Sequence, residues 1–187
     1  MELNPRMFKK ILPKPVTLLT TVDSKGIPNA APYACVMPIL KPLDLIAIAS
    51  ALPRDTLKNI RDTKEFVVNV LGRSDLDKAI KCAKSYPPEV DELKKLNVET
   101  ISSKKVHPPK VKNALGWFEV TLEVELSTDK YSIIIGKVVF AEINDAYLKD
   151  GKLLEFPTIL FGSELRGVGE KIATIEEFFK ELPQINF

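Results

Sequence analysis

The chain has 187 residues, 45% hydrophobic and 28% charged, with 27 basic side chains against 25 acidic ones for a formal charge of +2. That length suits one domain, residues 1–187, able to bury a core without metal or disulfide staples. The charge balance excludes a general pull towards nucleic acid or membrane surfaces, and no apolar run approaches the roughly 18–20 residues of a membrane-spanning helix.

Other absences narrow the class further. The N-terminal segment MELNPRMFKK lacks the apolar run of a signal peptide, so a cytoplasmic location is expected. Cys35 and Cys82 form no zinc or CxxC spacing and read as two free thiols. With His107 as the one histidine, a conventional metal site is short of ligands, and His107 reads as a surface loop residue. Lys104, Lys105, Lys110 and Lys112 lie upstream of Trp117 and Phe118; the cluster reads as a solvated loop rather than a nucleic-acid surface.

In chain order, a short helical turn is expected at 6–11. Val16–Val22, rich in Val, Leu and Thr, reads as a strand. Asp23-Ser24-Lys25-Gly26 reads as a turn, and Ile27–Val36 as the return strand. Pro28 and Pro32 remove donors from that return strand, which places it at an edge or beside something other than a strand. Leu43–Ser50 is nearly all apolar and fits a strand buried on both faces. Asp55–Ile60 starts a helix, and Thr63–Val70 returns to strand.

A helix is expected over Ser74–Lys84 with Ser74 as N-cap and Asp77 in its first turn, and another over Glu89–Leu96. Residues 97–113 read as a loop with at most a short strand. Leu115–Ser127 alternates Trp117, Glu119, Thr121, Glu123 and Glu125 against Phe118, Val120, Leu122, Val124 and Leu126, which predicts a long strand with one polar and one apolar face. Tyr131–Ile143 is a further strand with Gly136 as a bulge, 149–152 is a turn, and a tail helix is expected at 172–182. Many short strands in hairpins, with helices inserted after the fourth, favour a mainly β barrel over a doubly wound sheet.

Two segments carry the chemistry. In Ser50-Ala51-Leu52-Pro53-Arg54-Asp55-Thr56 a strand ends in small residues and a helix begins, so free N–H groups face outward there. Such a terminus attracts phosphate, Arg54 adds a planar fork for phosphate oxygens, and Ser50 and Thr56 add hydroxyls. The bland alternative is an ordinary helix start capped by Asp55 or Thr56. In Asn29-Ala30-Ala31-Pro32-Tyr33, two alanines let a flat ring approach the backbone, and Asn29 offers both a donor and an acceptor. Its bland alternative is an irregular edge strand packed on the core. There is no catalytic triad, carboxylate pair or metal cluster.

The ordered set PVTLLTT (Pro15–Thr21), the Asp23–Gly26 turn, NAAPYA (Asn29–Ala34), RDTLKNI (Arg54–Ile60), EFVVNV (Glu65–Val70), IIIGKVVF (Ile133–Phe140) and LKDGKLL (Leu148–Leu154) resembles the flavin reductase-like, FMN-binding split-barrel family of flavoredoxin type. The resemblance implies a six-stranded, Greek-key split barrel that binds FMN non-covalently, usually as a homodimer. By matching position it implies that Thr20, Thr21, Asn29, Ala30, Ala31, Pro32 and Tyr33 line the ring and ribityl. It likewise assigns Ser50, Ala51, Arg54, Asp55, Thr56 and Asn59 to the phosphate end. Phe161 and Arg166 are implied to reach a flavin across the dimer interface.

The chain departs from the family pattern at two places. Ala34 and Cys35 follow Tyr33 where many members have Ser, and Asp129-Lys130-Tyr131-Ser132 stands where many flavin reductases carry a nicotinamide-assisting His. The expected function is an FMN flavoprotein, either an NAD(P)H-dependent flavin reductase or an electron carrier or flavin store that serves a redox partner protein. A non-flavin barrel for another phosphorylated ligand or a protein partner remains the third reading.

Overall fold

The computed structural model of the protein describes residue 2 and residues 4–40 and 42–168. The helix expected at 172–182 lies outside them. A 3-10 helix, Pro5–Lys10, leads into β1 (Lys14–Pro15). β2 (Thr17–Val22) and β3 (Pro28–Tyr33) form a hairpin whose turn is closed by Asp23 Oδ1, which accepts from the N–H groups of Lys25 and Ile27 at 2.8 Å each. Gly26 completes the turn at φ 83°, a left-handed conformation that a side chain would disfavour.

β4 (Val36–Pro38) and β5 (Leu45–Ala51) follow, then α1 (Asp55–Thr63) and β6 (Glu65–Val70). α1 buries Leu57 and Ile60, and Lys64 ends it in the left-handed region with its N–H on the Ile60 carbonyl at 2.9 Å. Two short helices, α2 (Leu76–Lys81) and α3 (Glu92–Lys95), precede the small ladder β7 (Thr100–Ile101) and β8 (Lys110–Val111). The long strands β9 (Gly116–Ser127) and β10 (Tyr131–Ile143) pair along their length. The hairpin β11 (Leu148–Lys149) and β12 (Lys152–Leu153) comes next, and β13 (Ile159–Phe161) and β14 (Glu164–Arg166) close against β1.

One antiparallel sheet carries the architecture, with strands in the order β3-β2-β6-β9-β10-β5-β4. β3 and β4 are its two edges, yet only Ala34 and Cys35 separate them in the chain. A flat seven-stranded sheet would hold its outer strands about 29 Å apart. Two linking residues reach about 11 Å at most. The sheet therefore curls until its edges nearly meet, which is the split barrel expected from the sequence. Six strands of six or more residues build it, and three-residue β4 adds a seventh. The single return strand expected over Ile27–Val36 is thus divided. After Tyr33 the chain crosses the seam and pairs with β5 instead.

The apolar residues split into two clusters across this sheet. Leu19, Ile48, Leu57, Ile60, Phe66 and Val120 fill the barrel interior with their neighbours. Leu18, Val67, Leu71, Trp117, Leu93 and Val111 pack on the outer face beneath α2, α3 and the 97–113 segment. Adjacent residues such as Leu18 and Leu19 belong to different clusters, so β2 is buried on both faces throughout. Gly136 sits at the expected bulge. A Cβ there would lie 2.4 Å from Val120 Cγ1, so the strand crossing admits no side chain.

Several sequence expectations are corrected here. Ser74 does not cap α2; Asp75 takes that position in the left-handed region, and the Ser74 hydroxyl accepts from Tyr147 Oη at 2.9 Å. The polar face of β9 is not solvated at its first half, because the 97–113 segment covers it. Glu119 is fully buried there and accepts the N–H groups of Lys104, at 2.8 and 3.0 Å, and Lys105, at 2.5 Å. Lys110, read as solvated, is buried, with Nζ 2.8 Å from Glu142, 4.0 Å from Glu119 and 4.8 Å from the Trp117 ring centre. Conversely, Val124 and Leu126, expected on one apolar face with Val120 and Leu122, are 46% and 56% exposed, because the register shift that skips Glu123 opposite Gly136 turns them to the outer face. His107 is exposed as expected, but its Nδ1 lies 2.7 Å from Glu65 Oε2 on β6.

Among the described residues no helix is long and apolar enough to cross a membrane. The Glu119 carboxylate is the anchor of the 97–113 segment, so Glu119→Ala leaves the N–H groups of Lys104 and Lys105 without their acceptor and removes the buried negative charge 4.0 Å from the Lys110 ammonium. The expected cost is about 3–5 kcal/mol in equilibrium urea unfolding. A loss below about 1 kcal/mol, the range of a surface pair, would contradict this role.

Candidate functional site

A cleft of about 560 Å³ opens at the seam of the barrel, a size that suits a small-molecule ligand. Three segments converge on it. The first is the free edge of β3 and the crossing, Asn29–Cys35; the second is the end of β5 with the start of α1; the third is the wall of Cys82–Tyr86 and Glu92. Barrel closure brings the first two together. The packing of α2 and α3 on the outer face of β3 brings the third.

The β3 edge has an unusual polarity. Backbone groups of alternate strand residues point to the same side. The Ala30 N–H points off the edge, onto Glu92 Oε2 at 3.1 Å, so positions 28, 30 and 32 all face outward. Pro28 and Pro32 have no N–H, and Ala30's is taken. The edge therefore presents carbonyl acceptors and no free donor at these positions. An edge without donors also resists pairing with a further strand.

At the other side of the cleft, Arg54 is the N-cap residue of α1 and makes no side-chain cap, so the alternative of an ordinary helix start capped by Asp55 or Thr56 does not hold. The first-turn N–H groups of α1 thus lack a capping oxygen, and the exposed Arg54 guanidinium makes no ion pair with any described residue. Lys58 also lines the cleft, but its Nζ is 2.9 Å from Asp62. Ser50 and Tyr33 join across the seam through their hydroxyls at 2.8 Å, and the Ser50 hydroxyl lies 3.2 Å from the Ala51 carbonyl. The Leu52–Pro53 peptide is cis.

Of the residues singled out in sequence, Asn29, Ala30, Ala31, Pro32, Tyr33, Ser50, Ala51, Arg54, Asp55 and Thr56 line the cleft. Thr21 and Asn59 stand behind its wall. Asn59 Nδ2 donates to Thr21 Oγ1 at 3.1 Å, while Thr21 and Thr56 hydroxyls donate to Asn29 Oδ1 at 3.4 and 3.1 Å. Thr20 is not brought to the cleft. Strand alternation turns it to the opposite face from Thr21, where it donates to the Pro109 carbonyl at 2.5 Å. Phe161 and Arg166 lie on the β13–β14 hairpin, away from the cleft, with Arg166 paired to Glu164.

Sequence reasoning missed the third wall. Glu92 is 5% exposed, and its Oε1 accepts from Asn29 Nδ2 at 2.9 Å. Burial is the largest influence on its acidity and pushes it up from the ordinary carboxylate value. Burial, with Glu92 beside it, pushes the Cys82 thiol up to about 12, so that thiol is protonated and unreactive at neutral pH. The partners of Glu92 lie 62 and 63 residues away in the chain, so no local pattern marked it. Among the described residues no group of three potential ligands gathers to hold a metal.

Residues 8–168 match the model of the flavin reductase-like domain. A protein of Methanothermobacter thermautotrophicus is 44% identical over 144 residues, 74% of this chain and 68% of that protein. Among solved structures, the flavoredoxin of Methanosarcina acetivorans superposes with a TM-score of 0.83 at 21% identity, covering 98% of each chain. The NADH:FAD oxidoreductase of Streptomyces globisporus C-1027 superposes at 0.77 and 18% identity, covering 91% of this chain and 98% of that one. The motif order, the curled antiparallel sheet and the family match agree: this chain belongs to the flavin reductase-like domain family.

Proposed function

We propose that the seam cleft holds FMN without a covalent bond and that the protein is a redox flavoprotein, an NAD(P)H-dependent flavin reductase of flavoredoxin kind. The observation that carries the reading is the uncapped start of α1 with the unpaired Arg54 beside it, both opening on the cleft. A terminal phosphate satisfies those N–H groups, and Arg54 adds a charge-assisted fork. Asp55, the first residue of α1, lies at the same mouth and contributes its backbone N–H rather than its charge. The β3 carbonyls suit the N–H of a flat ring, and Ala30, Ala31 and Ala51 leave room for it against the backbone. Bound there, FMN supplies two-electron transfer, and the protein binds, orients and tunes it.

A second reading, an electron carrier or flavin store fed by a redox partner protein in the cytoplasm, is favoured by one observation. The described residues that line the cleft include no histidine, and Asp129–Ser132 occupies the position where many reductases place one.

The same reading includes a homodimer. On the outer face of the barrel, strand pairing aligns Met37, Ala49, Ile133, Ile135, Val124 and Leu126 in adjacent rows across β4, β5, β10 and β9. Their neighbours Ile48 and Ile134 point inward and are buried. An apolar face of this kind matches a second copy of itself about a two-fold axis.

Two measurements test the reading. In an equilibrium titration followed by flavin fluorescence, Arg54→Ala is expected to weaken FMN binding by about 1.5–3 kcal/mol. An unchanged Kd contradicts the phosphate assignment, and no binding to the unsubstituted protein contradicts the whole reading. Sedimentation equilibrium is expected to give twice the 20.9 kDa chain mass, with Ile133→Glu shifting it towards one chain while the circular dichroism stays native. A monomer before substitution contradicts the dimer.

A further inference from the structure

Glu92 is a buried carboxylate in the wall of the cleft that makes no ion pair with any described residue. Its backbone position on α3 packs against β3, and both of its oxygens are bound, one by Asn29 Nδ2 at 2.9 Å and the other by the Ala30 N–H at 3.1 Å. An amide or hydroxyl side chain would satisfy one of these donors without placing charge there. Two N–H donors favour the ionised form, and no described lysine or arginine pairs with it. The charge that acts on it is that of Asp55 of α1, also acidic; the neighbouring Cys82 thiol after α2 stays protonated and neutral. Glu92 thus places a carboxylate without an ion-pair partner beside β3, on a wall that Lys84 also lines, while Arg54 stands at the opposite mouth.

We propose that Glu92 sets the redox preference of the cleft: its carboxylate, fixed to Asn29 and Ala30, opposes the extra negative charge that a flavin acquires on reduction. The inference rests on the FMN reading above. Oxidised flavin takes up two electrons and one proton from a two-electron donor and becomes an anion. A fixed charge nearby weakens binding of that anion relative to the oxidised form. For unit charges about 10 Å apart at an effective dielectric of about 20, the effect is about tenfold in the ratio of the two affinities. Cleft polarity thus separates the roles of the two ends. The α1 end grips the phosphate in both redox states, and the Glu92 end distinguishes between the states.

The test uses the full chain, with FMN as the probe. Dissociation constants for oxidised FMN and for dithionite-reduced FMN are measured without air at about pH 8, well above the ordinary carboxylate range. In Glu92→Gln the affinity for reduced relative to oxidised FMN is expected to rise about tenfold, which raises the midpoint potential by about 30 mV for a two-electron couple. A purely architectural Glu92 would change both affinities together, so an unchanged ratio in a variant that still binds FMN overturns the proposal and leaves the FMN reading intact. If neither protein binds FMN, that reading fails and this inference with it. Should the Gln variant not fold, Glu92→Met, similar in length and uncharged, is measured in the same way at the same pH. An unchanged ratio in it overturns the proposal.

Discussion

The chain passes from one edge of its main sheet to the other through two residues, and that constraint shapes the rest of the molecule. Because Ala34 and Cys35 join β3 to β4, the sheet must curl until its edges lie side by side. The edges do not then zip into a closed barrel. Pro28, Pro32 and Pro38 remove ladder donors on both sides of the seam, and Glu92 holds the Ala30 N–H. The ladder from β3 to β4 that would complete the circle is absent, and a cleft stands in its place. The start of α1 is delivered to the same place by β5, one strand in from the β4 edge, so the seam receives a helix N-terminus and an arginine together.

The polar groups behind the cleft are not spare ligands awaiting a partner. Asn59, Thr21, Thr56, Asn29 and Glu92 form one hydrogen-bonded chain that ties α1, β2, β3 and α3 together. Among the described residues no buried side-chain nitrogen or oxygen is left without a partner. Such a network ties the wall of the cleft together and leaves the β3 carbonyls, the α1 terminus and Arg54 as its groups without a protein partner. Rigid walls also keep the Glu92 charge at a constant position, which a flexible surface carboxylate would not do.

The sequence revealed most of the strands because their signals are local: β-branched runs, an Asp–Gly turn, period-two alternation and the Gly136 bulge. It also revealed the two segments that meet at the seam, since small residues, prolines and an arginine before a helix start are themselves short-range patterns. Three features were hidden for definite physical reasons. Alternation shows that β9 has two faces but not that both are covered, so nothing marked Glu119 as buried, and Lys110, in a lysine-rich stretch, read as solvated. Resemblance assigns Thr20 and Thr21 alike, whereas the pleat sends them to opposite faces. Glu92 belongs to a four-residue helix with no motif of its own, and its role comes from contacts made only when α3 packs on β3.

An absorbance spectrum tests most directly whether the seam is a flavin site. The protein is incubated with excess FMN, passed through a desalting column, and measured before and after NADPH is added without air. The account predicts a retained flavin spectrum, bleached by NADPH for a reductase and unchanged for a carrier fed by another protein. A colourless protein after the column, at concentrations where the fold is intact, would contradict it.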